Sequence, residues 1–166
     1  MKPTPSGRVV PSADGRDLVL ERTFRAPIED VWASITESER TARWIGPWTG
    51  VGAAGNTVEL TMTAEEGASA TAVHIDACDP PHHLRVTTDD AAGSWRLEAH
   101  LTQAGGITTL RFIHHLDDSA DPGSIGPGWE YYLDRLVASR DDAAMPEWDD
   151  YHPAQKAYYE EAAAQA

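Results

Sequence analysis

The chain is poor in cysteine, in basic residues and in long apolar runs, and each shortage removes a class of protein. Cys78 is the only cysteine, so no internal disulfide can form and a four-cysteine zinc site is excluded. Lysine and arginine number 13 against 27 acidic residues, a formal charge of −14, and no basic run is long enough to track a phosphate backbone. Nucleic acid and anionic membrane surfaces are therefore not expected partners. No stretch approaches the roughly 18 consecutive apolar residues of a membrane-inserted helix. The first residues, Met1-Lys2-Pro3-Thr4-Pro5-Ser6-Gly7, lack an apolar signal region, so a cytoplasmic location is expected. The chain also lacks a Gly-x-Ser-x-Gly element, which argues against seryl hydrolysis.

What is present suits one domain with tails, since 166 residues can enclose a core but scarcely two. We read residues 1–16, rich in Pro, Ser and Gly, as a mobile segment with at most a short strand at Val9 and Val10. Residues 17–145 form the domain, and 146–166 an acidic, aromatic tail with a short helix from Pro153 that docks on its own domain. The clearest helical period is at Trp129, Tyr132, Leu133, Leu136 and Val137, one apolar stripe on a helix from about 127 to about 142 that opens at Pro127. A strand is predicted at Asp17–Arg25, and Pro27 opens a helix over Ile28–Thr36 that buries Ile28, Val31, Trp32 and Ile35. A second helical piece runs from about Glu37 to Ile45.

From residue 57 to 114 the pattern changes to period two. Val58, Leu60, Val73, Ile75, Leu84, Val86, Trp95, Leu97, Leu110 and Phe112 occupy one face, and turns at 64–67, 79–83, 90–93 and 104–106 make the strands an antiparallel meander. Opposed residues of an antiparallel pair share a face. Joining the apolar faces pairs Leu97 with Phe112, Val86 with Leu97 and Ile75 with Val86. That register aligns Asp76, Arg85, Glu98 and Arg111 as alternating charges on the outer face. It also sets Trp95 opposite His114 on the inner one.

Ala26-Pro27-Ile28-Glu29-Asp30-Val31-Trp32, the run Glu39-Arg40-Thr41-Ala42-Arg43-Trp44-Ile45-Gly46-Pro47-Trp48 and the late Gly128-Trp129 carry a resemblance. With this order of elements the chain resembles the Hsp90-ATPase-activator homologues of the START-like, polyketide-cyclase-like (SRPBCC) superfamily, over roughly residues 17–142. The resemblance implies an α+β, helix-grip (Bet v 1-like) fold, a curved antiparallel sheet wrapped around a long C-terminal helix and enclosing a cavity. It implies no single activity, because members bind lipids, steroids or hormones, cyclise polyketides or act as co-chaperones. It transfers no catalytic residue.

Gly50-Val51-Gly52-Ala53-Ala54-Gly55 matches a dinucleotide fingerprint, but a strand follows it where the pyrophosphate would need a helix, so it reads as a strand connection. Of seven histidines, the pairs His82-His83 and His114-His115 point to opposite faces, and His74 and His100 face outward. His114 then stands alone inside, and neither a metal site nor a cofactor is expected. Cys78, at a strand end, is expected to be inert.

We therefore expect binding of an apolar or amphipathic small molecule, with no catalytic set. The expected lining is Trp48, Leu60, Val73, Ile75, Val86, Trp95, Leu97, Leu110, Phe112, His114, Trp129, Tyr132, Leu133 and Leu136. Ser69, Thr71, Ala77 and Ala99, small or polar on the same face, would leave the space, and His114, Tyr132 and Arg22 would orient a polar group. A co-chaperone or other interaction module, with a chaperone or a second copy as partner, would have the cavity filled by side chains. A cyclase- or hydratase-like enzyme would need two or more polar groups converging inside.

Overall fold

A computed structural model of the chain describes residues 2–65, 67, 69–90 and 93–166. Its elements run β1 (Arg8–Ser12), β2 (Gly15–Phe24), α1 (Ile28–Thr36), α2 (Ser38–Thr41), β3 (Trp48–Thr49), β4 (Thr57–Thr61), β5 (Ala70–Asp79), β6 (His83–Asp90), β7 (Gly93–Ala104), β8 (Ile107–Leu116), α3 (Pro122–Arg140), a single 3-10 turn (Trp148–Asp150) and α4 (Lys156–Ala164). The strands form one antiparallel sheet in the order β1-β2-β8-β7-β6-β5-β4-β3. It is the expected meander, with β1 and β2 added at the β8 edge. Among the described residues no helix is long and apolar enough to cross a membrane.

α1 has its expected bounds. Pro27 precedes it in an extended conformation, and Glu29 and Asp30 place negative charge in the first turn, where the helix dipole favours it. α2 covers only Ser38–Thr41 of the longer piece expected, and the chain continues in turns to Ile45. α3 buries Trp129, Tyr132, Leu133 and Leu136 as its stripe requires, but it begins at Pro122, so Pro127 lies inside it. The weak helix formers in its first turns have a packing reason. A Cβ on Gly126 would stand 2.3 Å from Cγ of Tyr159, so this part of α3 is kept bare for α4.

Two corrections to the register have local causes. β7 and β8 pair Leu97 with His114 and Ala99 with Phe112, two residues from the expected pairing. A slip of two keeps every side chain on its face, so apolar alternation cannot detect it. The turn decides it: Gly105 and Gly106, at φ 59° and 77°, form a two-residue connection that joins Ala104 to Ile107. On the other side, Val86 pairs with Leu97 and Ile75 with Val86 as expected, but a bulge then sets Ala77 against Arg85. Asp76 is the extra residue, and beyond it the facing of β5 inverts, so that Ala77 leaves the inner face and Cys78 enters it. Residues 66, 91 and 92 of the expected turns lie outside the described residues.

The predicted ladder of outer charges does not form. Asp76 accepts a hydrogen bond from Thr87 Oγ1 at 2.6 Å, Glu98 is taken by histidines, and among the described residues neither Arg85 nor Arg111 makes an ion pair.

Both termini are built into the domain. The N-terminal segment expected to be mobile lies along β2 as β1, pairing Val9 with Leu18 and Val10 with Asp17. Ser6 and Gly7 donate their backbone N–H groups to Glu130 of α3 at 2.6 and 2.9 Å. Glu130 is 1% exposed, and it also accepts from Arg22 at 2.6 Å and from the Tyr159 hydroxyl. Desolvation would raise its pKa, but the Tyr159 hydroxyl, the Ser6 N–H and the Arg22 charge outweigh that and hold it below the ordinary carboxylate value. Tyr159 is fully buried in the main core with Leu18, Leu20, Leu110, Leu133 and Leu136. Tyr151, also buried, donates to Asp134 at 2.7 Å. The tail thus enters the core, where surface cover alone was expected.

Candidate functional site

The sheet is covered unequally. Under β1, β2 and β8 the side chains of α3, α1 and α4 close a solid core. Toward β3–β6 the cover consists of α1, α2 and the loop to β3, and here a cavity of about 380 Å³ remains. Trp48, Leu60, Val73, Ile75, Val86, Trp95, Leu97, Leu110, Phe112, Trp129 and Leu133 line it, and so do the small residues Thr71 and Ala99. Only Trp129 and Leu133 come from α3, so the hollow sits beside that helix and not beneath its whole length.

Three expected site residues lie elsewhere. Leu136 is fully buried in the solid core. Tyr132 faces a second hollow of about 580 Å³, which shares Met62, Glu65, Trp95 and Trp129 with the first and is bounded by Trp148 of the tail. His114 sits behind the aromatic wall, 2% exposed, its ring centroid 4.8 Å from that of Trp95. Its Nδ1 accepts the indole N–H of Trp129 at 3.0 Å. Burial, helped by the neighbouring His115 charge, lowers its pKa to about 4, so it is a neutral acceptor that fixes Trp129. Arg22 does not reach the cavity either, because Glu130 and Asp134 hold its guanidinium at 2.6 and 3.0 Å. Ser69 is exposed.

The α1–α2 region supplies walls that the sequence reading had assigned to core or left unassigned. Ile35, Thr36, Thr41, Trp44 and Ile45 line the cavity. Trp44 donates its indole N–H to the Ser34 carbonyl at 2.8 Å, and Trp48 donates to that of Thr36 at 2.9 Å. With both indole donors satisfied, the rings present apolar faces inward. A Cβ on Gly52 would stand 2.8 Å from the Trp48 ring, which gives the glycine-rich connection after β3 its packing role. Val58 and Leu84 also line the space, as the alternation allowed, and Cys78 does so because of the bulge. Burial raises the Cys78 pKa, so it stays a thiol. At the shared edge of the two hollows the Tyr132 hydroxyl donates to Glu65 at 3.0 Å, a polar station beside an apolar chamber.

A curved antiparallel sheet closed by helices over an apolar hollow defines the helix-grip class of START-like domains. Within that class the chain belongs to the Activator of Hsp90 ATPase homolog 1-like family, whose model matches residues 25–139. Among solved structures it is similar to CalU16 from Micromonospora echinospora, with 21% identity, 97% of this chain and 98% of that one covered, and a TM-score of 0.77. A conserved protein of unknown function from Enterococcus faecalis matches with 19% identity, 96% and 91% coverage and a TM-score of 0.72. DynU16, from the dynemicin biosynthetic locus, matches with 16% identity over 86% of this chain and 51% of its own, at a TM-score of 0.69. At these identities the likeness establishes the fold alone. Comparison with curated proteins yields no match.

Proposed function

We propose that this domain binds an apolar or amphipathic small molecule in the cavity beside α3. The observation that carries the reading is the partly open hollow of about 380 Å³ walled by Trp44, Trp48, Trp95, Trp129 and aliphatic side chains. That volume falls in the range of small-molecule pockets, and apolar walls with a few polar groups are their usual make-up. Affinity would come from desolvated contact with the indole faces. Glu65 and Tyr132 would receive a hydrogen-bond donor on the ligand, and the adjoining second hollow favours an elongated molecule. The biosynthetic locus that names DynU16 is in keeping with small-molecule handling.

An interaction module of the Hsp90-activator kind would use the outer surface and would have no need of an open interior; the unfilled volume therefore favours the ligand reading. The test is native mass spectrometry of the full chain after exposure to a metabolite extract. One adduct of small-molecule mass per chain, accompanied by a change in tryptophan fluorescence, is the expected result. A chain that stays unliganded in extracts from several sources while co-purifying with a chaperone would overturn the reading.

A further inference from the structure

The outer face of the sheet gathers histidines that the cavity does not use. On β6 and β7, His83 is directly paired with His100, and Glu98 lies two residues from His100 on the same face of β7. His83 Nε2 stands 2.8 Å from Glu98 Oε1, and His100 Nε2 stands 3.3 Å from the same oxygen. The three ligand atoms lie within 4.8 Å of one another. The two imidazoles are stacked, 4.4 Å between centroids and 22° between planes, so they present their Nε2 atoms together. From β8, His115 meets the other oxygen of Glu98 at 2.5 Å through Nε2, and its Nδ1 meets Asp17 of β2 at 2.7 Å.

We propose that His83, Glu98 and His100 form a divalent transition-metal site on this face, with His115 and Asp17 as the outer shell that orients the carboxylate. A tetrahedral ion bound at about 2.0–2.2 Å sets its ligand atoms roughly 3.3–3.5 Å apart. Two of the three edges therefore need only small adjustments, and the third closes by rotation of partly exposed side chains. A carboxylate fixed through one oxygen by a histidine, itself held by a second carboxylate, is the kind of support that ligating groups receive.

The donor set decides the class of ion. Two imidazoles and one carboxylate suit Zn²⁺ or its neighbours and not Mg²⁺ or Ca²⁺, which prefer oxygen alone. His83, Glu98 and His100 have side chains 26, 16 and 41% exposed, so an ion can enter without opening the fold, and a fourth position remains for water. The net charge of −14 favours cations generally, whereas Arg85 and Arg111, opposite Glu98 and His100 in register, work against them. The expected Val86–Leu97 pairing already set His83 opposite His100, but ligands were sought only on the inner face, so the outward cluster was passed over. Glu98 also borders the cavity, but its carboxylate oxygens are held by His83, His100 and His115, so the metal site needs no ligand in the cavity.

The experiment uses the full chain stripped of metal, titrated with Zn²⁺ by calorimetry and with Co²⁺ by visible absorption. Expected are one ion per chain, Co²⁺ bands of low-symmetry coordination, and a Zn²⁺-dependent rise in Tm of roughly 5–10 °C at a hundredfold excess over Kd. His83→Ala and His100→Ala should each weaken Zn²⁺ at least tenfold and together abolish it. His115→Asn should weaken it about tenfold to a hundredfold, and His74→Ala should leave it unchanged. Circular dichroism confirms that the histidine variants, all at partly exposed sites, remain folded. Absence of saturable Zn²⁺ binding, or binding that survives the double substitution, overturns the proposal.

Discussion

Replacing Gly126 by alanine sets two effects of opposite sign against each other. In a helix interior the change is worth about 0.8–1 kcal/mol in favour of alanine by propensity alone. The new Cβ, however, would lie 2.3 Å from Cγ and 2.5 Å from both Cδ atoms of Tyr159. That ring cannot swing aside cheaply, because it is fully buried and its hydroxyl is bonded to Glu130 and to the Gly7 N–H. Overpacking of this kind costs about 1–3 kcal/mol, and expelling the ring would cost about 3–5 kcal/mol as an aromatic truncation does. Gly126→Ala should therefore destabilise by about 0–2 kcal/mol net if the ring yields in place, and by about 2–4 kcal/mol if it is expelled, read by urea denaturation followed by circular dichroism. In a Tyr159→Ala background the clash is gone, and the same substitution should become stabilising. A Gly126→Ala protein more stable than wild type would mean that α4 does not pack on α3 as described.

The remaining expectations follow from the same packing. Deleting residues 146–166 removes the buried Tyr151 and Tyr159, each worth about 3–5 kcal/mol by truncation; against a typical total of about 5–15 kcal/mol, the shortened chain should lose most of its cooperative thermal transition, and an unchanged Tm would refute the tail's place in the core. His114 has a folded pKa of about 4 against an ordinary 6.5, so the unfolded chain takes up its proton first. Its contribution is intact above pH 6.5 and is lost as pH falls toward 4, by up to about 3 kcal/mol. His114→Asn should flatten the stability profile in that window, and an identical slope in wild type and variant would count against a buried neutral imidazole.

Much of the inner surface was legible because side-chain parity survives most errors of register. Leu60, Val73, Ile75, Val86, Leu97, Leu110 and Phe112 fall inward for any even slip, and the α3 stripe follows from its spacing alone. Features that depend on a single residue of backbone geometry were not legible. The bulge at Asp76 turns Cys78 inward, and nothing in the local composition marks it. The Gly105-Gly106 turn contained the β7–β8 register, but the turn was expected at 104–106 and the pairing across it two residues off. The aromatic composition of the tail argued for docking, yet its depth depends on Gly126 and Glu130, about thirty residues away in the chain, and pattern reading along one segment cannot join them.

The central claim is that the space beside α3 is open for a ligand, and filling it tests that claim most directly. Ala99 lines the cavity opposite Phe112. In Ala99→Trp the added indole has unoccupied volume to enter, so the Tm should stay close to that of wild type while the molecule captured from the metabolite extract is no longer bound. A packed core would instead lose about 1–3 kcal/mol from the same substitution. Such a loss, together with ligand binding that is absent from wild type or unchanged in the variant, would contradict the account.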